Sequence, residues 1–209
     1  EIAMRIYAKH NDVQAQCIAL AHLALTALLM ARNATQTATK SHQSAITNAK
    51  RSLALAEETA RTRHPHERDF VRAHWLLGAA LCASGQLDEA EKHLSEALSR
   101  CRTINLVEME ADILLNLARL RVKQGQQEDS VGLAGDALAI AERCGYVLQA
   151  ADIHLFFATL TPNPAPEGKG EALEHARDAL RLATCDGEPY VYRVAYDEAL
   201  ALVKKLEDG

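Results

Sequence analysis

The sequence predicts an all-α fold: a right-handed α-solenoid of antiparallel helix pairs on a repeat of about forty residues, closed by a C-terminal capping helix. Three observations predict it. Of 209 residues 48% are hydrophobic but only 4% aromatic, and alanine and leucine dominate where strand-forming types are sparse. Apolar positions recur at helical, not alternating, spacing. A shift of 40 positions also lays Gly85-Gln86-Leu87-Asp88-Glu89-Ala90 over Gly125-Gln126-Gln127-Glu128-Asp129-Ser130. The same shift carries His74 to Leu114 and then to His154, Leu77 to Leu117, Ala97 to Ala137 and Leu98 to Leu138.

The elements follow in order within one domain spanning residues 1–209. Residues 11–63 fit a degenerate unit: a helix over Asp12–Arg32, a polar loop over Asn33–Lys40 and a second helix over Ser41–Thr62. The segment Arg61–Glu67 links it to a clearer unit at 69–103. There a first helix over 69–83 carries Trp75, Leu76, Ala79 and Ala80, and Ser84-Gly85 ends it, because glycine accepts the left-handed conformation of a helix terminus. A second helix from Leu87 to Leu98 places Ala90, Leu94 and Ala97 on one face.

The unit at 105–144 repeats this pattern, with helices over Asn105–Gln124 and Gln127–Cys144 broken at Gly125, and Gly145 ends the second helix. In the unit at 146–184, a helix over Gln149–Leu160 meets the proline-rich stretch Thr161–Gly168, which cannot continue it. A second helix follows over Gly170–Thr184. A last helix over 189–207, with Pro189 in its first turn, has no partner after it and is expected to cap the apolar end.

The net charge of −5 is unevenly spread: residues 1–84 carry ten Lys/Arg against six Asp/Glu, and the remainder thirteen against twenty-two. That excludes the basic footprint of a nucleic-acid binder. Five dispersed cysteines, Cys17, Cys82, Cys101, Cys144 and Cys185, read as idle thiols of a reducing, cytoplasmic compartment. The apolar stretch Cys17–Ala31 reads as too short and too alanine-rich for a membrane span. Opening on Glu1 within a helical pattern, the sequence reads as part of a longer protein.

Leu77-Gly78, Leu81, Gly85, Leu87, Ala90, Leu94 and Ala97 stand at the spacing of the tetratricopeptide repeat, and the chain resembles that family. The resemblance is strong over 69–144, fair over 145–184 and weak before 65. Its usual period is about 34, so a period of about 40 implies longer helices. The family's small residues let paired helices approach closely. A second resemblance is narrower. Cys185-Asp186-Gly187-Glu188-Pro189-Tyr190, with Tyr192, Tyr196 and Ala199, is similar to the closing segment of helical repeats in bacterial STAND-type NTPases, which carry a NACHT or NB-ARC switch upstream. It implies a C-terminal sensor or scaffold. Read on the residues alone, Asp186-Gly187 is a turn and Tyr190, Tyr192 and Tyr196 pack the cap.

Little points to catalysis. Gly168-Lys169-Gly170 lacks the spacing of a phosphate-binding loop. His64-Pro65-His66 offers two imidazoles that His74 could approach, but no cysteine cluster or HExxH completes a metal site. His74 and His154 share one repeat position and are expected to pack between helices. Cys82 and Cys101 lack an activating context. No enzyme, cofactor or metal is expected.

The resemblance implies that the first helices line a concave groove. The family's groove positions fall on Arg72, Trp75, Ala79 and Cys82, on Asp112, Leu115, Asn116, Arg119, Val122 and Lys123, and on Asp152, Leu155, Phe156 and Thr159. The tentative ligand-binding set is Arg72, Trp75, Asn116, Arg119, Lys123 and Asp152. Its cations suit an acidic peptide, although Leu115, Leu155 and Phe156 equally suit the interior. The two-carboxylate clamp of chaperone-binding relatives is not matched, since its positions hold Trp75, Ala79, Asn116, Asp152 and Phe156, with one asparagine kept. The expected function is a protein-interaction scaffold or sensor within a bacterial signalling protein. The alternatives are a peptide- or effector-sensing regulator and a self-assembly module.

Overall fold

A computed structural model describes residues 2–32, 37–160 and 166–208. Among these residues the chain is all-α, with no strand. It divides into two compact units, Glu1–Met109 and Glu110–Gly209.

The first unit contains α1 (Ile2–Lys9), α2 (Val13–Arg32), α3 (Ala38–Thr62), α4 (Glu67–Ala83) and α5 (Leu87–Thr103). The division falls in the first turn of α6 (Val107–Lys123), which opens the second unit together with α7 (Gln127–Cys144), α8 (Val147–Thr159), α9 (Pro166–Thr184) and α10 (Arg193–Asp208). Sequential neighbours pack in pairs: α2 on α3, α3 on α4 and α4 on α5 in the first unit, and α7 on α8, α8 on α9 and α9 on α10 in the second. This is the helix-pair, repeat-type all-α fold expected.

The turns explain the period. Gly85 (φ 82°) and Gly125 (φ 79°) occupy equivalent inter-helix turns, as their alignment predicts. Each sits in the same hydrogen-bond pattern: the Gly85 N–H donates to the Cys82 carbonyl and the Gln86 N–H to Leu81, while Gly125 donates to Val122 and Gln126 to Arg121. Satisfying the last carbonyls of a helix in this way requires a left-handed residue just past its end. Gly145 (φ 71°), Asn105 (φ 52°) and Cys185 (φ 48°) do the same between pairs. Left-handed residues at 85, 105, 125, 145 and 185 mark a half-repeat of about twenty residues, one helix and one turn each.

The core is a ladder of small residues. Second helices bury Ala90, Leu94, Ala97 and Cys101 in α5 and Ser130, Ala134, Ala137 and Ala141 in α7; in α9 they bury Ala172, Ala176, Ala179 and Ala183. Each set keeps the i, i+4, i+7, i+11 spacing of one helix face. Such short side chains let helices approach closely, which explains how so alanine-rich a chain packs with few aromatics in its core.

Several boundaries differ from the sequence reading. Helix α1 (Ile2–Lys9) falls in the opening stretch that reads as helical, ahead of the first expected unit. Helix α10 begins at Arg193 rather than in a first turn at Pro189, which follows a cis peptide bond and precedes the helix. The second helix of the last unit starts at Pro166, four residues early. Parts of the two expected loops, residues 33–36 and 161–165, lie outside the described residues. Helix α2 needs a correction too: at 20 residues and a mean hydropathy of 1.7 it is long and apolar enough to cross a membrane by length and composition. Here Cys17, Leu20, Ala21, Ala24, Ala27 and Ala31 are buried, and the helix packs against α3. Cys17 and Ser52 tie the pair together: the thiol donates to the Ser52 carbonyl (3.2 Å), and the Ser52 hydroxyl donates to the Cys17 carbonyl (2.9 Å).

Candidate functional site

The expected groove positions separate into interior and polar residues. Ala79, Cys82, Leu115, Leu155 and Phe156 are buried and belong to the core. The polar ones share a register: positions 72, 112, 152 and 192, forty apart, hold Arg72, Asp112, Asp152 and Tyr192. The side chains at these positions are engaged with neighbours, each within its own unit.

In the first unit Arg72 is half-buried, and its Nη1 lies 3.2 Å from Oδ1 of Asp69 one turn earlier on α4. Gln14 on α2 donates to the other Asp69 oxygen at 3.2 Å. Asp69 is itself buried, so Arg72 supplies the countercharge a buried carboxylate requires. An open cleft of about 570 Å³ lies over them, lined among others by Ile18, Arg68 and Ile104. Arg68 also pairs with Glu108. Trp75 is half-buried, one turn on, and its indole Nε1 is buried without a hydrogen-bond partner.

In the second unit two carboxylates are each held by a neighbour. Gln149 of α8 donates to Oδ2 of Asp112 on α6 (3.4 Å), and the Tyr192 hydroxyl donates to Oδ2 of Asp152 (3.0 Å). Burial pushes the Asp112 carboxyl up to about 7; the hydrogen bond from Gln149 opposes this, the nearby charge of Asp152 adds to it and Arg119 opposes it. Asn116 donates to the Asp112 carbonyl one turn back (2.8 Å), Arg119 is half-buried, and Lys123 is exposed at the C-terminal end of α6. The structure therefore brings Asp152 and Arg119 to one acidic neighbourhood around Asp112. The sequence reading missed Gln149 and Tyr192; extending the shift of 40 once more, from 152 to 192, would have found the tyrosine.

The histidines arrange differently from the metal hypothesis. His64 and His66 lie ring to ring, 4.5 Å between centroids. His74 does not join them. It faces His93 across the α4–α5 pair, Nδ1 to Nδ1 at 2.9 Å, and His154 faces His175 across α8–α9 at the same distance. Among the described residues no group of three or more His, Cys, Asp or Glu gathers to hold a metal ion.

A family model described as tetratricopeptide repeat matches residues 69–143. Those residues are tetratricopeptide repeats. The repeats span α4 to α7, the helix pairs whose turns hold Gly85 and Gly125. Among solved structures, that of BtubC (BKLC) from P. vanneervenii is similar over 94% of this chain and 90% of its own, with a TM-score of 0.57 and 16% identity, a likeness of fold. No curated protein matches. Tetratricopeptide repeats generally serve protein–protein interaction, and the family is typically non-catalytic.

Proposed function

We propose that this chain is a protein-binding scaffold whose first-helix wall in the second unit, from Asp112 and Arg119 on α6 to Asp152 on α8, receives an extended segment of a partner protein. The observation that carries this reading is the polar register at 112, 152 and 192. It recurs at the repeat period, with Asp112 on α6 and Asp152 on α8 and Tyr192 just before α10, and its carboxylates are held in place by Gln149 and Tyr192. Preorganised polar groups cost less to order on binding than free ones. The acidic-peptide reading narrows accordingly. Arg72, paired with Asp69, belongs to the first unit; within this wall the cations are Arg119 and Lys123, and the Asp112–Asp152 stretch suits a basic or hydrogen-bond-donating residue.

The wider setting is a bacterial signalling protein of the STAND type, with the chain as its sensor or scaffold part, working in the cytoplasm without a cofactor, nucleic acid or membrane. The five unbridged cysteines support a reducing compartment. A crosslinked pull-down with the parent protein tests the wall, comparing wild type with an Arg119→Glu/Lys123→Glu variant and an Asp112→Asn/Asp152→Asn variant. A partner lost from either folded variant supports the reading. One retained by both puts recognition elsewhere and overturns it.

A further inference from the structure

The second and fourth repeats share a feature that the third replaces. His74 on α4 and His93 on α5 meet Nδ1 to Nδ1 at 2.9 Å, with ring centroids 5.1 Å apart. His154 on α8 and His175 on α9 meet at the same two distances. The first helices stand 80 positions apart and the second helices 82, the extra two falling in the longer loop of the last unit. Between them, the third repeat carries Leu114 and Leu133 at the corresponding positions. An apolar pair is therefore what this place in the repeat takes when no histidine is used, and the histidines change together.

Centroids so much farther apart than the nitrogens mean that the two rings point at one another. That is the geometry of an N–H···N hydrogen bond, not of two lone pairs converging on a common metal ion. Such a bond holds one proton: one ring donates it and the other accepts with its lone pair. One added proton leaves a cation facing a neutral ring, and the bond survives; protonating both rings puts a hydrogen on each facing nitrogen, removes the acceptor and sets two cations face to face. We propose that the two histidine pairs are an acid-sensitive latch, closing each helix pair while the facing nitrogens share one proton and loosening it when both rings are protonated.

The surroundings of the first pair carry no net charge to offset the two cations, and those of the second carry one acid in excess. Around the first pair stand Glu89, Glu96 and Arg100 of α5 and Lys50 of α3, two acids against two bases, with Glu96 already engaged by Arg100. Around the second stand Asp178 and Arg181 of α9 and Glu142 of α7, and Phe157 stacks on the His175 ring at 5.0 Å. Burial is the first cause holding His74, His93 and His154 below the usual histidine value, His74 at about 4. The sign follows. The unfolded chain takes up protons from about pH 6.5 downward while folded His74 refuses its proton until about 4, so the stability it contributes is lost as the pH falls through that window.

The test is thermal unfolding of the whole chain at about pH 7 and about pH 4.5, wild type against His74→Leu/His93→Leu/His154→Leu/His175→Leu, which copies the third repeat. The wild type should lose more of its Tm on acidification than the variant. Parallel Tm–pH curves overturn the latch. Should the variant fail to fold, histidine side-chain nitrogen NMR of the wild type decides. The latch requires one protonated and one bare Nδ1 in each pair at neutral pH, and titration of His74 near 4. Ordinary titration near 6.5, or two Nε2-protonated rings in each pair, overturns it.

Discussion

A Cβ built on Gly78 would lie 2.6 Å from Cγ of Leu94 and 3.0 Å from its backbone nitrogen, so α4 and α5 cross with no room for a methyl group. Glycine within a helix costs roughly 1 kcal/mol relative to alanine, and close approach of the partner helix is what it gains here. The same two positions hold Ala118 and Ala134 one repeat later, and Ala158 and Ala176 in the last unit. Glycine stands where its opposite is leucine, and alanine where its opposite is alanine.

Gly78→Ala should therefore destabilise the protein by about 1–3 kcal/mol in urea unfolding, against the direction of helix propensity. Leu94→Ala alone should cost about 2–5 kcal/mol, because the side chain is fully buried. In that background Gly78→Ala should become neutral or stabilising, a coupling that a double-mutant cycle measures. If Gly78→Ala is harmless beside Leu94, the crossing is not as tight as this.

Asp112 carries a pH dependence of opposite sign to the histidine pairs. Its carboxyl, raised mainly by burial to about 7, holds a proton that the unfolded chain releases near pH 4, so its contribution to stability falls as the pH rises between those values. Asp112→Asn keeps the shape and removes the charge. Relative to wild type it should gain about 1–2 kcal/mol at pH 8, an amount discounted for partial exposure, and little at about pH 4. Chemical denaturation at the two pH values checks it; an equal effect at both would mean that the carboxylate is solvated.

The helix pairs were legible because their physics is local. Gly85, Gly125 and Gly145 announce left-handed turns, and the alanine faces announce close packing. The boundaries at Asn105 and Cys185 were harder to read, because there the left-handed residue is not glycine and the half-repeat hides its own period. The candidate wall was legible only as a register. Which cation is neutralised at home, as Arg72 is by Asp69, depends on side chains from α2 and α4 that no shift of 40 positions brings together. The histidine partners were hidden for the same reason: His93 and His175 lie on second helices, and only the packed pair sets them against His74 and His154.

The capping role of α10 carries the last prediction. Ala195 and Ala199 of α10 are fully buried against Ala151 and Leu155 of α8 and Ala179 and Ala183 of α9, and Val203 and Leu206 continue the seam onto Ala158, Ala172 and Ala176. A carboxylate has no partner in such a seam. Ala199→Glu should cost on the order of 3 kcal/mol or more and lift α10 from its seat. The uncovered faces of α8 and α9 are an apolar patch of the kind that drives association. Gel filtration should then show concentration-dependent oligomers for Ala199→Glu and not for Lys204→Glu, which alters an exposed position of the same helix. Oligomers in neither variant, with α10 still docked by protease resistance, would mean that the seam tolerates a charge and that α10 is no cap.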